Sequence, residues 1–303
     1  MIKKLDLLIF QLQQENKKAV ALAFVRIAIS FWFIKELFFR SPAFEVLYSP
    51  NSYLKTKQEP ILKALHLNID WLQSHYHWVI SVCIISSVIH ILGIGKNVGA
   101  IAMFICYSIL RGMNASFGNT GDEMCLLIAF YMCFVNSYQY ATIFKYKPLS
   151  PKVQGLYNLI SNLAAYSMMI NLCMAYFYTG YFKLENKFWQ QGKGLQYSLY
   201  NERFHAFDFA KTLATKSWFY VPLNYAILVF ELTMPFLVWF KKWRNKLLLL
   251  MFLMHCYIYC TMLIFGMTFT FLMQYPLFYT NEELKLFYTK VKYKLFYTKA
   301  SST

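Results

Sequence analysis

The chain has 303 residues, of which 58% are hydrophobic, 20% aromatic and only 15% charged. Soluble domains are usually about 45–50% apolar and about 25% charged, so this composition argues against a soluble globular protein. The net charge of +16 would suggest nucleic-acid binding in a soluble protein, but no nucleic-acid-binding motif accompanies it. Basic residues that flank membrane spans and bind anionic headgroups explain the charge better.

Apolar blocks occur along most of the chain and reach the length of about 20 residues that crosses a bilayer. They follow a charged amphipathic lead, residues 1–18, which lacks the cleavage site of a signal peptide, so we expect the first span to direct insertion. The last block is too long for one upright helix and is either one tilted helix or two segments divided after Gly266. The predicted blocks are residues 19–39, 78–94, 98–113, 124–144, 156–184, 219–240 and 247–278.

These blocks predict an all-α fold, a polytopic transmembrane helix bundle of about seven or eight spans with an interfacial amphipathic helix. We expect three regions: the lead (1–18), the bundle (19–280) and a basic interfacial tail (281–303) that repeats Lys-Leu-Phe-Tyr-Thr-Lys. Seven cysteines lie in apolar runs without a Cys-x-x-Cys pair, which favours packing residues over a metal site.

The basic residues assign the two sides of the membrane. Lysines and arginines precede the first span and follow the second, fourth and sixth, so we predict that these positions are cytoplasmic in a multi-pass protein of the plasma (inner) membrane. The outer side then carries residues 40–77, 114–123 and 185–217. Because the 185–217 loop is also basic, it either faces lipid headgroups or receives an anionic ligand.

Ionisable residues at membrane depth usually face the bundle interior and have a partner. Arg26 in the first span either snorkels to the cytoplasmic headgroups or has an interior role. His90 in the second span is interpreted as a hydrogen-bonded structural histidine. Arg111 closes the third span and either forms an ion pair with Asp122 or clamps an anion.

Two further ionisable residues lie in the later spans. Glu231 is in the middle of the sixth span, where a carboxyl group must be protonated or paired. Pro235, four residues on, frees the backbone carbonyl of Glu231 and predicts a kink. His255 lies in the last block, and the two helices could bring His255 and Glu231 face to face.

The fifth span ends with the most informative segment, in which Tyr176, Gly180 and Lys183 share one helical face. Gly180 removes side-chain bulk, so either another helix or a ligand can approach. Lys183 is either an anchor that reaches the headgroups or a dehydrated amine that can act as a base. An amphipathic piece follows and would cover the mouth of the bundle, with an apolar set of Phe188, Trp189, Leu195, Leu199 and Phe204.

The pattern Tyr176-Phe-x-x-Gly180-x-x-Lys183-Leu184, followed by Trp189 and Gly192, resembles the HTTM family. This family is the transmembrane domain shared by vitamin K-dependent gamma-carboxylase and many bacterial membrane proteins. The resemblance covers roughly residues 15–280. Weaker matches are Arg26-Ile27, Gly121-Asp122 and His255 with Phe265-Gly266-Met267 and Phe269.

The resemblance implies that Lys183 corresponds to the lysine that deprotonates the vitamin K hydroquinone, with Tyr176 and Trp189 lining the site. Gly180, Arg111, Asp122 and His255 would then complete a substrate site, and a reduced, vitamin K-like quinone would be the cofactor. The chain departs from the carboxylase in two places. It reads Asn119-Thr-Gly-Asp-Glu where the carboxylase has Asn-His-x-Tyr, and it carries no large extramembrane domain, so carboxylation of a protein is not implied.

Three functions stay open. The first is a membrane-embedded enzyme, a carboxylase/epoxidase-like lyase or an oxidoreductase, in which Lys183 takes a proton from a lipid-soluble quinol. The second is a non-enzymatic membrane partner of a small peptide in its export, maturation or immunity. The third is a transporter that uses Glu231, Pro235 and His255, which the absence of an evident inverted repeat disfavours.

Overall fold

The computed structural model describes residues 2–52, 60–114, 120–201 and 207–296. All regular structure within these ranges is helical, which confirms the all-α prediction for the described residues. Short 3-10 turns occupy Ser41–Ala43 and Tyr275–Phe278. The helices are α1 (Ile2–Gln14), α2 (Ala19–Arg40), α3 (Phe44–Tyr48), α4 (Pro60–Ala64), α5 (Ile69–Ser74), α6 (Tyr76–Leu92), α7 (Asn97–Met113), α8 (Thr120–Met132), α9 (Pro151–Glu185), α10 (Lys187–Gln190), α11 (Gly194–Tyr200), α12 (Asp208–Ala214), α13 (Ser217–Leu237), α14 (Lys241–Met262), α15 (Phe265–Leu272) and α16 (Asn281–Phe296).

Three of these helices, α9, α13 and α14, are long and apolar enough to cross a membrane. The shorter helices α6 and α7 are also apolar. Five helices begin and end within a few residues of the predicted spans: α2, α6, α7, α9 and α13. Their positions could be predicted because each is a long, continuous run of apolar residues.

The predicted fourth span, residues 124–144, is wrong in its second half, because α8 ends at Met132 and the chain is irregular from 133 to 150. Side chains from other helices bind the backbone carbonyls that a continuing helix would have used. The guanidinium of Arg26 donates to the carbonyl of Ser137 at 2.7 Å. The amide of Asn97 donates to the carbonyl of Val135 at 3.1 Å. Buried backbone carbonyls outside regular structure require such partners.

The last apolar block divides in two, as one of the two predicted alternatives required. Helix α14 ends at Met262, and Leu263 adopts a left-handed conformation with φ of 53°. Helix α15 begins at Phe265, so the break lies just before Gly266 rather than after it. A residue with positive φ cannot continue a right-handed helix, so Leu263 ends α14. This conformation is uncommon for a residue other than glycine, because the Cβ atom crowds the following carbonyl.

The chain forms two compact units, one of residues 1–166 with 279–303 and one of residues 167–278. In the first unit α2 packs against α6, α6 against α7, and α7 against α8. The predicted lead contains α1 and the predicted tail contains α16, while residues 297–303 of that tail lie outside the described residues. In the second unit α13 packs against α14 and α11, and α14 against α15. The second unit contains the candidate site.

Candidate functional site

Helices α9 and α13 approach each other closely at Gly180. A Cβ atom built on Gly180 would lie 3.0 Å from Leu232 Cγ and 3.1 Å from Glu231 Cβ. A side chain at this position would therefore require the α13 side chains to shift. Of the two interpretations of Gly180, the structure supports close helix packing, and that packing brings the α9 face of Lys183 to Glu231.

Lys183 is bound to Glu231. Its Nζ donates to Glu231 Oε1 at 2.5 Å, and the side chain of Lys183 is 25% exposed whereas that of Glu231 is 5% exposed. The ammonium also lies 4.8 Å from the ring centroid of Trp189. Lys183 is therefore a paired amine, because its ammonium contacts a carboxylate and an aromatic ring.

Trp189 lies in the short helix α10, and Asn224 and Gly194 fix its position over Lys183. The buried amide of Asn224 donates to the Trp189 carbonyl at 2.9 Å, and its oxygen accepts from the Leu195 N–H at 3.1 Å. The indole packs directly on Gly194, where a Cβ atom would lie 2.3 Å from Trp189 Cδ2. A cavity of about 200 Å³ also borders Trp189. Trp189 thus lies beside Lys183, and Phe204 of the same predicted piece lies outside the described residues.

A second set of polar side chains lies deeper in the same unit. The hydroxyl of Tyr176 is 2.7 Å from His255 Nε2 and 2.7 Å from the hydroxyl of Tyr275. The ring of Phe271 packs edge-on against Tyr176, with centroids 4.9 Å apart. Tyr176 and His255 are each 1% exposed. His255 therefore bonds to Tyr176. Glu231, the residue that the sequence suggested could face His255, bonds to Lys183 instead.

Two atoms of these groups have no hydrogen-bond partner among the described residues: Glu231 Oε2 and His255 Nδ1. Buried polar atoms are normally satisfied, since an unpaired one costs about 1–3 kcal/mol. Such atoms mark places where a ligand group or a proton can be received. The arrangement can therefore exchange a proton between Lys183, Glu231 and a hydroxyl group placed beside them.

The predicted ion pair between Arg111 and Asp122 is replaced by two other pairs, both in the first unit. Arg111 Nε donates to Glu123 Oε1 at 3.1 Å. Asp122 Oδ2 accepts from Arg40 Nη2 at 2.9 Å. The pairing changes because Glu123 and Asp122 are neighbours on α8 and so project to different faces of it. Asn119, from the same predicted element, lies outside the described residues.

Arg26 does not snorkel, which corrects one of its two predicted roles. It is fully buried, and its guanidinium donates to the carbonyls of Ser137, Tyr140 and Ala141. His90 is buried and its Nδ1 lies 2.8 Å from the hydroxyl of Ser30, which agrees with a hydrogen-bonded structural histidine. Both residues are parts of the scaffold of the first unit.

Sequence patterns did not identify Asn224 and Tyr275. Asn224 lies seven residues before Glu231 on α13, so the two share a helical face, and this spacing could have revealed it. Tyr275 lies in a 3-10 turn after α15, where neither periodicity nor charge distinguishes it.

Comparisons with known proteins agree with this description. A family model described as the HTTM domain matches residues 15–282, nearly the whole chain. Neither the curated proteins nor the solved structures contain a match. The apolar helices and this match together show that the chain is a membrane protein and that it belongs to the HTTM domain family.

Proposed function

We propose that this protein is a membrane-embedded enzyme in which the pair of Lys183 and Glu231 removes a proton from a lipid-soluble, quinol-like substrate. The observation that carries the proposal is the pair itself. It joins an amine 25% exposed to a carboxyl 5% exposed, beside an aromatic face, and the second carboxyl oxygen is buried without a hydrogen-bond partner among the described residues. Paired titratable groups held in such an environment are typical of catalytic sites.

The proton transfer has two steps. The Lys183 ammonium first passes its proton to the Glu231 carboxylate, which leaves a neutral amine beside a neutral carboxyl group. This neutral form is accessible because burial penalises the separated charges. The substrate hydroxyl then gives its proton to the amine, and the substrate oxyanion forms next to the new ammonium. One proton leaves the substrate and stays on the pair, and no oxidant is needed for this step.

The surrounding side chains would position the substrate and the pair. The indole of Trp189 lies over Lys183, where it stabilises the ammonium and contributes an apolar wall to the site. Tyr176, His255 and Tyr275 form a hydrogen-bonded group in which the buried His255 Nδ1, unpaired among the described residues, can exchange protons. Arg111 and Asp122 keep their ion pairs to Glu123 and Arg40 and are assigned no chemical step.

The test is turnover of a reduced naphthoquinone by the protein in lipid nanodiscs, with oxygen and bicarbonate present. Products are identified by mass spectrometry. We expect Lys183→Ala to abolish turnover in protein that still inserts and folds, although with lower stability than the parent protein. Lys187→Ala is the matched control, because Lys187 is an exposed lysine only four residues away. Equal turnover in the Lys183 variant would remove the catalytic role.

We also propose that the chain crosses the plasma (inner) membrane seven or eight times, with the positively charged connections on the cytoplasmic side. This places Lys147 inside and Lys216 outside. Single cysteines introduced at these positions in a cysteine-free background should be labelled by a membrane-impermeant maleimide only at position 216 in intact cells. Labelling of both or of position 147 alone would refute this topology.

A non-enzymatic role as a membrane partner of a small peptide is the second candidate. The observation in its favour is that Lys183 already has a carboxylate partner, as a purely structural lysine would. In that case, replacing the pair by Met and Leu should preserve the biological activity, whereas the enzymatic proposal requires its loss.

A further inference from the structure

A cavity of about 450 Å³ lies in the first unit, between the irregular segment 133–150, the turn before α7 and the beginning of α9. Three lysines line it: Lys96, Lys145 and Lys147. Among the described residues that line the cavity, none is an aspartate or a glutamate. Three cations around one concave surface attract an anion, and clefts lined by one sign of charge focus that attraction.

The wall of this cavity is held rigidly. Arg26 fixes the segment 133–150 by donating to the carbonyls of Ser137, Tyr140 and Ala141. The N–H of Ile143 donates to the Leu92 carbonyl at 3.1 Å, and the hydroxyl of Tyr146 donates to the Gly93 carbonyl at 2.5 Å. Gly93 has φ of 71°, and a Cβ atom there would lie 2.5 Å from Thr142 Cγ2, so only glycine permits this close contact.

One of the three lysines is held against the wall of the cavity. Lys96 Nζ lies 4.5 Å from the ring centroid of Tyr146, which keeps the ammonium at the cavity rather than in bulk solvent. Lys145 and Lys147 are exposed side chains of the segment 133–150. Tyr138 also lines the cavity and is 5% exposed, and its hydroxyl is enclosed by protein.

We propose that this cavity binds a phosphate-bearing anion, with Lys96, Lys145 and Lys147 neutralising its charge. Phosphate suits the site because it offers several acceptor oxygens and at least one negative charge to the three ammonium groups that line the cavity. The source is either the headgroup of an anionic phospholipid or a free phosphate compound. This site is independent of the Lys183 pair, which lies in the other unit.

The experiment measures phosphatidylglycerol bound to the purified full-length protein by native mass spectrometry. We expect the triple variant Lys96→Gln, Lys145→Gln and Lys147→Gln to lose affinity on the order of a hundredfold, since each surface lysine contributes roughly fivefold to binding of an anionic membrane. The matched control changes Lys241, Lys242 and Lys246 to Gln. It removes the same charge from the same predicted side of the membrane but outside the cavity, and it should retain binding.

Circular dichroism and gel filtration check that each variant folds. Equal loss of phosphatidylglycerol from both lysine triples would show a nonspecific basic surface and overturn the proposal.

The two sources of the phosphate give different results. Displacement of phosphatidylglycerol by inorganic phosphate or glycerol 3-phosphate at millimolar concentration supports a site for a soluble phosphate compound. Retention of the lipid against both competitors supports a headgroup site. Binding of phosphatidylcholine as tightly as phosphatidylglycerol would contradict anion recognition altogether.

Discussion

Replacing Lys183 by methionine should destabilise the protein by about 3–5 kcal/mol, the usual cost of removing one partner of a buried ion pair. Glu231 is only 4% exposed, so neither water nor lipid headgroups can replace the lost cation. Methionine keeps most of the volume and the helix propensity of lysine. The loss therefore reports the stranded carboxyl group rather than a cavity or a broken helix.

Removing the other partner should cost less. In Glu231→Gln the amide oxygen still accepts from Lys183 Nζ, and the 25% exposed ammonium can reach more polar surroundings. We expect a loss of about 1–2 kcal/mol, close to that of one weakened hydrogen bond to a charged group. The double variant Lys183→Met with Glu231→Leu should return to within about 1 kcal/mol of the parent protein, since an apolar pair of similar volume avoids the desolvation penalty.

The assay is reversible unfolding in mixed detergent micelles, followed by tryptophan fluorescence, for the parent, the single variants Lys183→Met, Glu231→Gln and Glu231→Leu, and the double variant. Lys187→Met, at an exposed position four residues from Lys183, is the control and should change stability by less than about 0.5 kcal/mol. The coupling energy of the cycle formed by Lys183→Met and Glu231→Leu should exceed about 2 kcal/mol. Additive effects, or a neutral Lys183→Met, would refute the buried pair. A folded double variant without turnover would assign the pair to chemistry.

Three other substitutions test the scaffold by the same unfolding assay. Gly180→Ala should lower stability by about 1–3 kcal/mol, because its Cβ would lie 3.0 Å from an α13 side chain, whereas Gly155→Ala meets only an ordinary contact at 3.7 Å and should be tolerated. Arg26→Met should cost about 3 kcal/mol or more, because three backbone carbonyls lose a charged donor, and Arg26→Lys should recover only part of it. Tyr176→Phe should cost about 1–2 kcal/mol, because the hydrogen bond to His255 is lost, and an unchanged stability would contradict that bond.

The features that could be predicted from sequence are those that neighbouring residues specify together. The spacing of Tyr176, Gly180 and Lys183 within seven residues identified one face of α9, and hydropathy located most of the long helices. Gly180 also predicted a close approach, because a small residue in a long apolar helix usually marks the place where a second helix packs against it.

The features that could not be predicted depend on residues far apart in the chain. Glu231 is 48 residues from Lys183, and which helix faces of α9 and α13 meet is decided by packing along their whole length. The end of α8 at Met132 has the same origin. Residues 133–144 mix apolar side chains with Asn136, Ser137 and Gln139, and the backbone there is fixed by Arg26, more than a hundred residues earlier.

The partners of the buried polar groups distinguish scaffold from chemistry in this protein. In the first unit Arg26 and Asn97 bond mainly to backbone carbonyls, which fixes an irregular segment. In the second unit Lys183 and Glu231 bond to each other, and His255 bonds to Tyr176. A side chain bound to the backbone cannot give up its partner without local unfolding, whereas two titratable side chains can exchange a proton and remain in contact. Glu231 Oε2 and His255 Nδ1, which are buried and have no hydrogen-bond partner among the described residues, belong to these pairs of titratable side chains. A substrate could take part in the proton exchange there.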